Sequence, residues 1–131
     1  MGSILIVEDD LYTRTNVIDL LNETGYIVYS AEDGIEGLTA AKKNLPDLVI
    51  SDITMPQLNG IELFYALKKD PVTSTIPVIF LTSRSEPNEI KAGLDLGAEG
   101  YITKPFHMSD LLGAIEKGLN KARENRLAKL N

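Results

Sequence analysis

Two kinds of apolar pattern alternate along this chain. In the first kind, three to five consecutive and mostly apolar residues form a short run that is rich in Val, Ile and aromatic residues. Such a run is typical of a strand that is covered on both faces of a sheet. The pattern predicts five strands, over residues 4–7, 26–29, 48–51, 77–81 and 101–103.

In the second kind, apolar residues recur every three or four positions, as they do along one face of a helix. The first such segment includes Leu11, Val17 and Leu21, and Gly25 follows it as a natural helix end. The pattern predicts five helices, over about 11–24, 35–45, 61–69 and 89–96, and from 109 into the Lys/Arg-rich tail.

Strands that alternate with helices through short loops predict an α/β fold, in which a parallel sheet carries helices on both faces. A chain of 131 residues with 44% hydrophobic and 24% charged residues is sufficient for one soluble domain. We therefore predict a single domain over 1–131, with a core over about 4–120 and an extended last helix and tail over about 120–131.

Composition narrows the classes of function. The chain has no Cys, which excludes disulfides and thiolate zinc sites and suits a reducing compartment. It has no apolar run of membrane-spanning length and no signal peptide before Ile4. The net charge of −6 disfavours a nucleic-acid surface. We expect a cytoplasmic protein that binds neither membrane nor nucleic acid directly.

Charged and hydroxyl side chains stand directly after four of the predicted strands. Glu8 and Asp9 follow the first strand, Asp52 the third, Thr82 the fourth and Lys104 the fifth. In an open parallel sheet, binding sites form outside the carboxyl ends of the strands. These five residues are therefore predicted to converge on one site.

The types of side chain among these five residues indicate a particular chemistry. Carboxylates that lie close together repel one another, and a divalent cation removes the repulsion. Mg²⁺ prefers a site with few carboxylates that leaves room for waters and phosphate oxygens. Lys104 and Thr82 offer a positive charge and a hydroxyl to the same oxygens. A carboxylate nucleophile, a metal and charge-neutralising groups are the components of a phosphoryl-transfer site.

Several motifs with these residues resemble the signature of response-regulator receiver domains, the phosphorylated switches of two-component signalling. The motifs are Val7-Glu8-Asp9-Asp10, Asp52 with Met55-Pro56 and Gly60, Thr82, and Lys104-Pro105-Phe106. They occur in the family's order over about residues 4–120. The resemblance implies a flavodoxin-like, doubly wound sheet with strand order 2-1-3-4-5 and five helices, similar to that of chemotaxis regulators.

The resemblance also implies residue roles. Asp52 would be the phospho-acceptor, and Thr82 and Lys104 would contact the phosphoryl group. Mg²⁺ would be held by Glu8, Asp9, Asp52 and the backbone carbonyl of Thr54. Thr82 and Tyr101 would form the switch, and the Lys104–Pro105 bond would be cis. Asp10, which stands just before the first helix, is more simply interpreted as a helix cap.

The implied partners are a histidine kinase or a phosphotransfer protein that donates the phosphoryl group. A downstream target or a second copy would bind the face formed by the fourth helix, fifth strand and fifth helix, about residues 88–118. Such a domain is a signalling switch rather than an enzyme, although it carries self-phosphorylation and self-dephosphorylation chemistry.

Two other functions share part of this pattern. A haloacid-dehalogenase-like phosphatase also uses an aspartyl phosphate and Mg²⁺, but it needs a second Asp two residues after the nucleophile, where this chain has Thr54. A phosphate-independent pseudo-receiver typically lacks one of the acids, the hydroxyl or the lysine, and none is missing here.

Overall fold

The computed structural model describes residues 2–82 and 97–129, with the side chain of Lys129 excluded. The strands and helices are β1 (Ser3–Val7), α1 (Leu11–Thr24), β2 (Ile27–Ala31), α2 (Gly34–Asn44), β3 (Leu48–Asp52), α3 (Gly60–Lys69), β4 (Val78–Thr82), β5 (Gly100–Thr103) and α4 (Met108–Lys129).

The five strands form one parallel sheet in the order β2-β1-β3-β4-β5, which confirms the predicted sheet. The order reverses between β1 and β3, where Val7 is paired with Ser51. Asp52 is paired with Leu81, so the carboxyl ends of β3 and β4 are level. Because all strands are parallel, the residues that follow them lie along the same edge of the sheet.

Alternate residues of the strands face opposite layers of core. Leu5, Val7 and Val49 belong to the cluster that includes Leu63 and Phe64 of α3. Ile4, Ile6 and Ile50 belong to a second cluster with α1 and the first turns of α4. This two-residue period in uninterrupted apolar strands places helices on both faces of the sheet, as predicted.

The ends of the elements differ slightly from the prediction. The second strand begins at Ile27 rather than Tyr26. The reason is that the Tyr26 amide donates to the Leu21 carbonyl oxygen at 3.0 Å, which closes the end of α1 after the left-handed Gly25. At the other end of α1, Asp10 is the N-cap, as interpreted from the sequence.

The described residues contain four helices. The fourth predicted helix, over 89–96, lies outside them. The last helix begins at Met108 and continues to Lys129, so its predicted extension into the tail is confirmed. Within the described residues, every helix is too short or too polar to cross a membrane.

Candidate functional site

Four strand ends supply the predicted side chains at the carboxyl edge of the sheet. Asp52 is the last residue of β3 and is 8% exposed, and Thr82 ends β4 and is also buried. Glu8 directly follows β1 and is fully buried. Lys104 follows β5, and its amide donates to the Thr82 carbonyl oxygen at 2.7 Å. The carboxyl ends of these strands therefore lie side by side at one edge of the sheet.

The Lys104 ammonium lies between two carboxylates. Its Nζ donates to Asp52 Oδ2 at 3.3 Å and to Glu8 Oε1. The Lys104 side chain is only 17% exposed, so both ion pairs are largely shielded from water. One positive charge is therefore shared by two acids in a poorly hydrated site.

A third acid completes the cluster. Glu8, Asp9 and Asp52 each offer a carboxylate oxygen within 4.8 Å of the other two, with Asp9 exposed and the others buried. Thr54 lies two residues beyond Asp52 in an exposed position of the adjoining loop. An all-oxygen set that is open to solvent on one side fits a hard divalent cation such as Mg²⁺, which keeps part of its hydration.

The electrostatics of the cluster are strongly perturbed. The pKa of Glu8 is raised from its ordinary 4.5 to about 7, chiefly by burial and also by the negative charge of Asp52, which together outweigh the lowering effect of the hydrogen bond from Lys104. Burial alone would lower the pKa of Lys104, but the hydrogen bond with Glu8 and the charge of Asp52 raise it overall. Lys104 therefore remains a cation, and Glu8 is ready to gain a proton or a metal.

These pKa values predict a pH dependence of stability in metal-free buffer. Because the folded-state pKa of Glu8 exceeds 4.5, the folded state binds more protons than the unfolded state between pH 4.5 and about 7. The contribution of Glu8 is therefore fully present below pH 4.5 and is lost as the pH rises through 7. We expect the free energy of unfolding to fall by about 2–3 kcal/mol between roughly pH 5 and pH 8 through this group.

Urea unfolding at several pH values measures this effect, and Glu8→Gln is the control. Gln has nearly the same shape but does not titrate, so the difference in unfolding free energy between the two proteins should change with pH. A difference that stays constant from pH 5 to pH 8 would contradict the raised pKa.

Arg14 is a residue whose contact with the site was not predicted. It lies at helical spacing between Leu11 and Val17 in α1, and it is buried there. Its Nη1 donates to the Glu8 carbonyl oxygen at 2.7 Å, and its Nη2 lies 3.4 Å from Glu32 Oε1. Arg14 therefore fixes the backbone at Glu8. The sequence does contain one indication of this role, because Arg14 is a charged residue among the apolar positions of the first helix.

The loop 53–59, which joins β3 to α3, is closed on itself beside Asp52. The Gly60 amide donates to the Ile53 carbonyl oxygen at 2.8 Å. A Cβ on Gly60 would lie 2.2 Å from the Asp52 carbonyl oxygen, so only glycine permits this approach. Asn59 and Glu62 form a capping box that fixes the start of α3.

The remaining predicted residues lie at the side of the cluster. The Lys104–Pro105 bond is cis, the isomer that the resemblance implies. Tyr101 is on β5, is 45% exposed and is paired with Phe80 of β4 in the sheet register. Asp10 caps α1, and its amide also donates to Glu8 Oε2 at 3.2 Å.

Comparison with known proteins gives a consistent result. Residues 4–116 match the family model of the response regulator receiver domain. The chain is 37% identical over 118 residues to the response regulator MprA of Mycobacterium sp. (strain KMS), covering 90% of this chain and 50% of that protein. It is 42% identical over 126 residues to histidine kinase P4 of Formosa agariphila, covering 96% of this chain and 9% of the kinase.

The fold has a close structural counterpart. The chemotaxis protein CheY4 of Vibrio cholerae aligns with a TM-score of 0.84 at 33% identity, over 90% of this chain and 98% of that one. The chain thus covers nearly all of that structure but only half of MprA.

Proposed function

This chain belongs to the family of response regulator receiver domains, and on that premise we propose that Asp52 accepts a phosphoryl group in a Mg²⁺-dependent reaction. The observation that carries the proposal is the surroundings of Asp52. Its carboxylate is 3.3 Å from Lys104 Nζ and lies in a cluster with two further acids. A lone structural acid would not need this concentration of charge.

The transfer step follows from that arrangement. One Asp52 carboxylate oxygen attacks phosphorus and forms a new P–O bond. The bond between phosphorus and the donor's leaving atom breaks, and its electron pair departs with the leaving group. Lys104 neutralises charge on the phosphoryl oxygens, and Thr82 at the end of β4 offers its hydroxyl to them.

Glu8, Asp9, Asp52 and the carbonyl of Thr54 would hold the Mg²⁺ ion. When bound, the ion supplies positive charge where the carboxylates and the incoming phosphoryl group would otherwise repel each other. The part played by the protein is to keep Asp52 on a rigid strand and Glu8 in place through the contact of Arg14 with its backbone.

We expect the phosphoryl group to come from another protein. The donors of choice are a histidine kinase or a phosphotransfer protein, because two-component regulators receive the group in this way. The chain is similar to a segment of histidine kinase P4 as well as to part of MprA, so the proposal concerns the receiver domain and not a larger protein around it.

Acetyl phosphate, a small donor, should phosphorylate the purified protein without any kinase. With Mg²⁺ present, intact-mass spectrometry should detect one phosphoryl adduct per chain, because Asp52 is the only proposed nucleophile. With a chelator in excess, the adduct should be absent, because the carboxylates then repel the donor. An adduct that forms equally with and without Mg²⁺ would contradict the proposal.

We also propose that phosphorylation changes a binding surface. A phosphoryl group adds about −1.5 to −2 charges at pH 7, and Lys104 and Thr82, which are proposed to contact that group, would respond to it. Thr82 is paired in register with Thr103, two residues beyond Tyr101, so a shift of Thr82 acts on β5. The affected face would include β5 and the first turns of α4; its portion over 88–96 lies outside the described residues.

Amide exchange tests this switch. Beryllofluoride, a phosphoryl mimic, should change exchange across 97–118 in the wild type and much less in Thr82→Ala, because the Ala side chain cannot respond to the acceptor oxygens. Binding of beryllofluoride in both proteins is the control. A wild-type face that does not respond at full occupancy would contradict the switch.

A further inference from the structure

Helix α2 begins directly against the loop 53–59. A Cβ built on Gly34, the first residue of α2, would lie 1.9 Å from the Leu58 carbonyl oxygen and 2.6 Å from Leu58 Cβ. Real Cβ atoms do not approach backbone this closely, so the two segments touch at a point where no side chain fits. Gly34 is buried, and Leu58 packs against the core cluster on the α3 face.

Neither side of this contact is free to move away. The start of α2 is held by its N-cap, since the Asp33 carboxylate accepts from the Glu36 amide at 2.8 Å. The two ends of the loop are joined by the hydrogen bond from the Gly60 amide to the Ile53 carbonyl oxygen. Within the loop, Gln57 has a φ of 70°, a left-handed backbone conformation that a residue other than glycine keeps only where its surroundings enforce it.

We infer that Gly34 is a positioning residue for the metal site. The contact of α2 with Leu58 sets the path of the loop 53–59, and that loop carries the Thr54 carbonyl and closes against Asp52 through Gly60. This inference rests on the proposed function, because it assigns to Thr54 and Asp52 the ligand roles proposed there. A methyl group at position 34 must displace Leu58, and the displacement continues along a closed loop to the metal ligands.

The chain contains a matched control in the same helix. A Cβ on Gly37 would lie 2.9 Å from Val7 Cγ1 and Cγ2 and 3.4 Å from Leu63 Cδ2. These atoms belong to core side chains rather than to backbone, and none belongs to the loop. Gly37→Ala therefore overpacks the core beneath α2 without moving the loop 53–59.

Mg²⁺ titration followed by chemical shift separates the two variants under conditions in which both are folded. Gly34→Ala should raise the Kd for Mg²⁺ by about tenfold or more, as changes that misplace ligands do, while Gly37→Ala should leave it within about twofold. Exchange of the Gly60 amide, whose acceptor is Ile53, should accelerate in Gly34→Ala only. A loss of stability alone would leave the Kd of the folded protein unchanged, and it would accelerate exchange of core amides in general rather than of the Gly60 amide in particular.

Equal Kd values for the two variants, with normal binding by the wild type, would overturn the inference and leave the proposed function intact. A wild type that binds no Mg²⁺ would overturn both. If Gly34→Ala does not fold, Leu58→Gly removes the other side of the contact without changing α2. It should weaken Mg²⁺ binding and accelerate Gly60 exchange in the same way, and unchanged values would overturn the inference.

Discussion

Replacing Asp52 with Asn should abolish phosphorylation of the protein by acetyl phosphate. The amide has nearly the shape of the carboxylate, so the fold and the strand pairing of β3 are retained. It lacks the negatively charged oxygen that attacks phosphorus, and no other side chain of the cluster is proposed to replace it. Intact-mass spectrometry in the presence of Mg²⁺ should therefore detect no adduct on Asp52→Asn, compared with one on the wild type.

Asp47→Asn is the matched control for that experiment. Asp47 stands just before the amino end of β3, and its Oδ2 accepts from the Ser3 amide at 2.8 Å. It is an acid next to the same strand, but it lies at the amino end of β3, whereas Asp52 lies at the carboxyl end. Full phosphorylation is expected in Asp47→Asn, and a full adduct on Asp52→Asn would contradict the assignment of the nucleophile.

Replacing Lys104 with Met should produce the largest loss of stability of any charge change in the described residues. The substitution keeps the length of the side chain but leaves Glu8 and Asp52 buried, close together and without a cation. Removing one partner of a buried pair typically costs about 3–5 kcal/mol. Since Glu8 can take up a proton with a pKa of about 7 in the wild type, the loss should be greatest above neutral pH and smaller in acid.

Lys42→Met provides the comparison for an exposed pair. Lys42 Nζ lies 3.8 Å from Asp70 Oδ2, and the Lys42 side chain is 51% exposed. Such pairs contribute about 0–1 kcal/mol. Urea unfolding in metal-free buffer at pH 8 should therefore separate the two variants, and Mg²⁺ should stabilise Lys104→Met more than Lys42→Met, because only the former lacks a cation in the cluster. Equal losses would contradict the view of Lys104 as the counter-ion of a buried cluster.

Much of the fold could be predicted from the sequence because its signals are local. Uninterrupted β-branched runs indicated strands covered on both faces, and helical periodicity placed the connections. The parallel arrangement then brought the residues after β1, β3 and β5 to one edge. Glu8, Asp52 and Lys104 are indeed in contact there, through ion pairs that join residues up to 96 positions apart.

The features that could not be predicted from the sequence depend on how the strands and helices pack against one another. Glu8 and Asp9 are adjacent and chemically alike, yet only Glu8 is buried. Glu8 directly follows the fully buried end of β1, whereas Asp9 lies one residue further into the loop. The reach of Arg14 to the Glu8 carbonyl and the approach of Gly34 to Leu58 depend on how α1 and α2 pack, which no local pattern specifies. Such contacts can be identified only from the three-dimensional structure.

The position of the phosphoryl group on the chain distinguishes Asp52 from every other candidate nucleophile. The protein is phosphorylated with acetyl phosphate and Mg²⁺ and then reduced with borohydride, which converts an acyl phosphate to an alcohol. Digestion and tandem mass spectrometry identify the altered residue. The account predicts homoserine at position 52 and nowhere else. An alteration at Glu8 or Asp9, or a phosphoryl group on His107 that resists reduction, would contradict it.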